Sequence, residues 1–368
     1  MSLFDQLNLI EDSRSHINRG HDLVDIIFLV LAAIASGCNG WLEIEEFGNE
    51  NLSWLQKHRP FTHGIPTRHS IARIIKTIDA EMMILALFSW VNTLRASAGR
   101  PLIAIDGKTL RGAVNQQGSE HAVHLVSAFD VEHGLVLYQQ DTQTKGSELA
   151  TVRELLHMLD IRDAILTFDA LHCNADTLKQ ITKRKGDYVV QVKSNQPNLL
   201  KAIKEQFEPH WAGDGSSLAT FEEKEKGHGR EECRTTFQLP AVLPKELAKK
   251  WPSVRSFIAV ERVRKCRRKN KTTIETHYYM SSMPVDVELA ARSIRQHWRI
   301  ENQQHWILDV TFKEDDSRIA DRDNAKKLAL FRRIILGLLG QHPLKASMPS
   351  KMRKASWNGK FRTELFFG

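Results

Sequence analysis

Ile103-Ala104-Ile105-Asp106-Gly107-Lys108 and Ile165-Leu166-Thr167-Phe168-Asp169-Ala170 are two short apolar runs, and each leads into an aspartate. An uninterrupted apolar run of this length reads as a strand buried on both faces. A carboxylate at its end falls at the C-terminal edge of a sheet, where open α/β sheets keep their sites. Taken singly, each aspartate suits an ordinary turn, because Asp readily opens one. Two such strands side by side hold two carboxylates in one crevice, and their mutual repulsion favours a cation between them. A third acid on a later helix makes a metal site the better reading.

The 368-residue chain is long enough for two or three domains. A formal charge of +8 that includes 44 acidic residues favours a polyanionic partner, nucleic acid first. Cys38, Cys173, Cys233 and Cys266 are scattered, which argues for a reducing cytosol, and His228, Cys233, Cys266 and His277 lack the paired spacing of a zinc site. No secretory signal is visible. The most apolar stretch, Ile26–Ala35, is much shorter than the roughly 20 residues that span a bilayer, so a buried helix is expected and no membrane.

Residues 1–95 read as helical. Trp41-Leu42-Glu43-Ile44-Glu45-Glu46-Phe47 repeats its apolar positions at helical spacing, and Thr67 is placed to cap a helix carrying Arg68, His69 and Arg73. From about residue 100 the pattern turns to strands: the Asp106 run, then Ala122–Phe129 and Leu135–Tyr138 around Glu132-His133-Gly134. A helix over Glu148–Leu159, the Asp169 strand, a helix over Ala175–Lys185 and the strand Tyr188–Val192 follow. The order βββαβαβ is that of a ribonuclease H-like mixed sheet with flanking helices, in which the first and fourth strands are neighbours.

Residues 199–284 read as an inserted β-rich subdomain, and Arg262–Lys271 within it holds seven basic residues and no acid, the composition of a hairpin tip that meets phosphates. Arg264, Lys265, Arg267, Arg268 and Lys269 are the DNA contacts expected there. A last helical block from Ala290 to about Leu339 carries His297, Glu301 and His305 at i, i+4 and i+8, on one helical face. The stretch from Lys345 to Arg362 has six basic residues and no acid. The expected divisions are therefore a helical N-terminal domain (1–95), a catalytic core in two parts (96–198 and 285–344), the insertion (199–284) and a basic tail (345–368).

Three carboxylates suit a hard, oxygen-liganded cation such as Mg²⁺. Two such ions about 3.5–4 Å apart activate a nucleophile and stabilise the leaving oxygen of an in-line displacement. No glycine-rich phosphate loop and no Ser/His/Asp elbow is present, which argues against a nucleotide hydrolase and an α/β-hydrolase. Lys108 and Arg111 directly follow the first acid, and Lys193 ends the fifth strand, so all three are expected near phosphates.

Asp106-Gly107-Lys108-Thr109-Leu110-Arg111-Gly112, Phe168-Asp169-Ala170-Leu171-His172-Cys173-Asn174, Val192-Lys193-Ser194-Asn195-Gln196, His297-Trp298-Arg299-Ile300-Glu301-Asn302 and His305-Trp306-Ile307-Leu308-Asp309-Val310-Thr311-Phe312 occur in this order, with Glu314-Asp315 beyond them. In these motifs, and over nearly its whole length, the chain resembles the H-repeat-associated, ISAs-type insertion-sequence transposases of the DDE superfamily. The resemblance implies a ribonuclease H-like catalytic domain, two Mg²⁺ or Mn²⁺ ions, and cutting and joining at the ends of an insertion element. It carries the catalytic, metal-binding acids onto Asp106, Asp169 and Glu301, with Asp309, Glu314 and Asp315 as alternatives for the third. Related insertion-sequence families place a Tyr, an Arg and a Lys at positions matching Ile294, His297 and Leu308; with none of them here, His297, Arg295 or Arg299 is expected to meet the phosphates. A homodimer or larger assembly on double-stranded DNA in the bacterial cytoplasm follows. The rival readings are a metal-dependent nuclease of the same fold and a domesticated, inactive DNA-binding protein.

Overall fold

The computed structural model describes residues 3–93, 100–110, 123–142, 147–213, 218–227, 230–266, 271–319 and 321–368. The strands are β1 (Leu102–Leu110), β2 (Val123–Asp130), β3 (Leu135–Thr142), β4 (Ile165–Phe168), β5 (Asp187–Val192), β6 (Ala219–Gly227), β7 (Arg230–Pro240), β8 (Ser256–Cys266) and β9 (Lys271–Ser281). They form a mixed sheet in the order β3-β2-β1-β4-β5-β9-β8-β7-β6, with helices before, between and after the strands. The chain divides into two compact units: Met1–Ser97, Gly107–Thr151 and Ile300–Gly368 form the first, and Ala98–Asp106 with Val152–Arg299 the second. β1 runs through both.

In the first unit, the helix Leu23–Ala35 is buried along its whole length, as its apolar run from Ile26 to Ala35 requires. Its one acid, Asp25, accepts from Arg59 Nε and Phe61 N–H, and Asp22 caps its N-terminus by accepting from Val24 and Asp25 N–H. Thr67 caps the helix Arg68–Thr77 as its sequence predicts, its hydroxyl accepting from Ser70 N–H. Phe28 lies at the centre of an aromatic cluster with Phe4, Trp54, His58, Phe366 and Phe367. The basic C-terminal stretch, read from sequence as a tail, is folded into the helices Met348–Trp357 and Gly359–Phe367. Two of its charges are buried as internal donors: Lys351 Nζ reaches Leu339 O at 2.6 Å and His342 O at 2.9 Å, and Arg362 donates to Asn51 Oδ1 at 2.6 Å.

In the second unit, β1 pairs in parallel with β4, and β4 in parallel with β5. The strands of the expected insertion extend the same sheet, because β9 pairs antiparallel with β5 over Val189–Val192. β8 and β9 are longer than their apolar segments. Their inner halves are buried, and their outer halves form a half-exposed ribbon in which opposite charges face each other across strands, Arg262 opposite Glu275 and Arg264 opposite Glu232. Arg262–Cys266 thus continues a paired strand and is not a loop.

The last helical block is divided. A helix over Val287–His297, a π turn over Ile300–His305 and a helix over Trp306–Val310 precede a tight turn with Lys313 at φ +49°, and a new helix, capped by Asp321, spans Arg322–Gln341. No helix among the described residues is long and apolar enough to cross a membrane.

Replacing Phe28 with Ala removes the ring at the centre of this cluster. Truncating a fully buried Phe is expected to cost about 3–5 kcal/mol, to be read as a lower urea midpoint at unchanged slope.

Candidate active site on two neighbouring strands

β1 and β4 are paired in parallel with Ile105 beside Phe168 as the last pair, so Asp106 and Asp169 are the next residue on each strand. Neighbours in register present their side chains on the same face, which places the two carboxylates together where the β1–β4 pairing stops. β4 ends there as expected, whereas β1 continues to Leu110, so Asp106 lies within its strand and not at its end. Burial changes at that step: Leu102–Ile105 and Ile165–Phe168 are buried, and both aspartates are half-buried. Asp169 also opens the turn expected of a strand-end aspartate, its carboxylate accepting Leu171 N–H at 3.0 Å.

The loop beyond Asp169 is held by residues whose role the sequence reading did not assign. Asn195 donates to Ala170 O at 2.6 Å and Gln196 to Cys173 O at 2.9 Å, while Asn174 caps the helix Ala175–Lys183. The available signal was an amide pair directly after β5.

His297 occupies a different place from the DNA-facing one expected of it. Its Nδ1 lies 2.9 Å from Thr167 Oγ1, on β4 two residues before Asp169, and the ring is buried. Burial pushes its pKa down to about 4, against a raising influence from Asp169, with His172 adding to the lowering. A neutral imidazole here buttresses β4 and has no charge to offer a phosphate. Arg295 is engaged by Glu225 at 2.9 and 3.0 Å.

In the first unit, the rest of β1 is flanked by polar groups on both faces. Thr109 Oγ1 lies 2.9 Å from His124 Nδ1, and His124 Nε2 lies 3.2 Å from Glu148 Oε2. Gly107 passes so close to this pair that a Cβ there would fall 2.6 Å from both Glu148 Oε1 and His124 Nε2. On the other face, Lys108 is buried, its ammonium 2.6 Å from Asp309, 3.3 Å from Asp315 and 3.7 Å from Glu314. Glu314 is in turn bound by fully buried Arg333 at 2.8 and 3.4 Å. Burial, with the negative charge of Asp315 and Glu314, raises the Asp309 carboxyl despite the lowering by Lys108. The three alternatives for the third acid are therefore held in an internal ion network.

Glu301 is exposed and opens the π turn over Ile300–His305. That wider turn interrupts the 3.6-residue winding on which a shared face for His297, Glu301 and His305 depends. Lys193 and Lys265 are exposed, Arg299 is half-buried, and Arg264 is 3.2 Å from Glu232. Arg111, Arg267, Arg268 and Lys269 lie outside the described residues. Among the described residues, no three His, Cys, Asp or Glu side chains converge as a metal cage. The oxygen donors of Asp106 and Asp169 are of the kind a hard divalent cation takes.

Residues 97–338 match the family model described as the transposase DDE domain, and residues 4–91 match that of its associated N-terminal region. The chain belongs to the H repeat-associated transposases, a family built on that DDE domain. It is similar to a protein of Escherichia coli (strain K12) named H repeat-associated putative transposase YhhI, at 34% identity over all of this chain and 98% of YhhI. It is also 34% identical to Putative transposase YncI of Escherichia coli O157:H7, over 99% of this chain and 94% of that protein. H repeat-associated putative transposase YbfD of strain K12 is 36% identical over 63% of this chain and 91% of its own length.

The His297 shift has a definite sign. A histidine whose folded pKa lies near 4, below the ordinary 6.5, stabilises the fold fully above pH 6.5, and that contribution is lost as pH falls toward 4. Complete loss corresponds to roughly 3 kcal/mol. Urea titrations at pH 7 and pH 4.5 should show wild type losing more stability than His297→Phe; parallel losses would remove the buried titration from the account.

Proposed function

We propose that this protein is a DNA transposase with a ribonuclease H-like core, which cuts the ends of an insertion element and joins them to target DNA. The observation that carries the reading is the register of β1 and β4, which brings Asp106 and Asp169 to the same edge of neighbouring parallel strands. Family membership supports it, and so does a basic chain suited to a polyanionic substrate.

In this reading Asp106, Asp169 and Glu301 are the catalytic, metal-binding acids. These carboxylates would hold divalent Mg²⁺ or Mn²⁺, two ions on this reading, which would supply Lewis-acid stabilisation of the charge that develops during phosphodiester exchange. The carboxylates would position that positive charge, which would in turn balance their own. In the first step, the oxygen of a water attacks the phosphorus at the element end, the bond to the 3′-oxygen breaks, and that oxygen leaves as a 3′-hydroxyl. In the second, the 3′-hydroxyl gives up its proton and attacks a phosphodiester of the target, displacing the target's own 3′-oxygen. Glu301 stands in a π turn, a feature often found at functional sites, which supports its role.

Arg111, Lys193, Arg264, Lys265, Arg267, Arg268, Lys269 and Arg299 are the basic residues we assign to the DNA backbone. The domain division carried by this reading is a helical DNA-binding region before residue 95, a core in two parts, and the β6–β9 segment as an additional DNA-holding element. Two ends require two active sites, so the working form is a homodimer or larger assembly on DNA in the bacterial cytoplasm.

The test is a plasmid carrying the DNA that flanks the gene, incubated with the full chain and Mg²⁺ or Mn²⁺. Asp169→Asn, nearly isosteric, should slow cleavage at the element ends at least about a hundredfold, equivalent to roughly 3 kcal/mol of barrier. Joined products support strand transfer. Cleavage without joining would favour the nuclease reading, retardation of DNA without cleavage the inactive DNA-binding reading, and equal cutting by both proteins would refute the role of Asp169.

A further inference from the structure

Lys108 stands two residues beyond Asp106 on β1, on the same face of the strand, in a chain whose basic residues are otherwise easily read as DNA contacts. It is only 7% exposed. Its ammonium is ringed by Asp309 at 2.6 Å, Asp315 at 3.3 Å and Glu314 at 3.7 Å. All three acids belong to the segment that directly follows the helical stretch bearing Glu301. That segment is tightly folded: Thr311 and Phe312 N–H donate to Ile307 O, Glu314 N–H donates to Leu308 O at 2.9 Å, and Lys313 turns the chain at φ +49°.

Within the described residues, opposite charges of this cluster face one another. Two buried cations, Lys108 and Arg333, face three carboxylates, and Glu314 is shared between them. Arg332, buried on the neighbouring position of the same helix, feels Glu314 as a favourable charge and donates to Asn39 O and Ser317 Oγ. Removal of Lys108 takes one of these cations away from the acids, and like carboxylates in a buried setting repel strongly. An ammonium committed to carboxylates in this way is not available to a phosphate.

We propose that Lys108 is a positioning residue: through its ion pairs with Asp309, Asp315 and Glu314 it fastens the segment following Glu301 to the strand that delivers Asp106, and it makes no contact with DNA. The proposal rests on the transposase reading for its effect on catalysis, but the fastening itself does not. Lys108 thereby holds the chain that follows Glu301 against β1 within the first unit.

The experiment uses the full chain with Lys108→Met, Lys108→Arg, Lys108→Glu and the exchange Lys108→Glu with Asp309→Lys. Hydrogen exchange is followed at the amides of Thr311, Phe312 and Glu314. Affinity for an element-end duplex is measured across a salt series, and single-turnover cleavage with Mg²⁺. In Lys108→Met, protection of those amides should fall at least about tenfold and cleavage at least about a hundredfold, with Kd and its salt dependence unchanged. Lys108→Arg should restore protection and part of the rate, and the exchange should recover protection lost in Lys108→Glu, which keeps the test valid if Lys108→Met folds poorly. Unchanged protection in Lys108→Met would overturn the proposal. So would a salt slope lowered by about one with cleavage falling in step with binding, the mark of a phosphate contact. A wild-type protein that does not cleave element ends would count against the transposase reading alone, since the exchange measurements would still decide whether Lys108 fastens the segment.

Discussion

The parallel register between β1 and β4 is the constraint on which the candidate site depends. Four consecutive pairs, from Leu102–Ile165 to Ile105–Phe168, fix where the pairing of the two strands stops, and the next residue on each is an aspartate. A slip of one residue would turn one carboxylate to the opposite face of the sheet. Neither strand depends on its aspartate for formation, since both are made by buried apolar side chains. The geometry of the acids is inherited from a hydrophobic pattern. The surrounding polar residues act in the same sense: Thr167 with His297 on β4, and Asn195 and Gln196 on the loop beyond, hold the frame in place.

Much of this frame was legible in the sequence because it is written in short-range periodicity. The apolar runs, the buried helix Leu23–Ala35, the Thr67 cap and the succession of strands and helices from Asp106 to Val192 all follow from residues close in the chain. What the sequence did not disclose involves partners far apart. The commitment of Lys108 to Asp309 spans about two hundred residues, and the folding of the C-terminal basic stretch depends on Asn51 and on Phe28. The π turn at Ile300–His305 was missed for another reason: an i, i+4, i+8 pattern presumes uniform winding, and nothing in residue type marks one widened turn.

The charge balance also reads differently once the fold is known. A net charge of +8 suggests a surface rich in cations available to a polyanion. Yet Lys108, Lys327, Arg332, Arg333, Lys351 and Arg362 are all buried. Lys327 donates to Ile75 O and Lys76 O, satisfying carbonyls at the end of a helix that has no later turn to receive them. These cations act as internal hydrogen-bond donors and counter-charges. Selecting DNA contacts by counting Lys and Arg therefore overestimates the interface, and the exposed Lys193 and Lys265 are better starting points than the motif lysine.

The aromatic cluster around Phe28 has a consequence for biosynthesis. Its members Phe366 and Phe367 emerge from the ribosome more than three hundred residues after Phe28 itself. The helix Leu23–Ala35, apolar except for Asp25, must wait through the synthesis of the whole second unit before its last partners arrive. At bacterial elongation rates that wait amounts to tens of seconds, during which the nascent chain presents a surface attractive to chaperones and proteases.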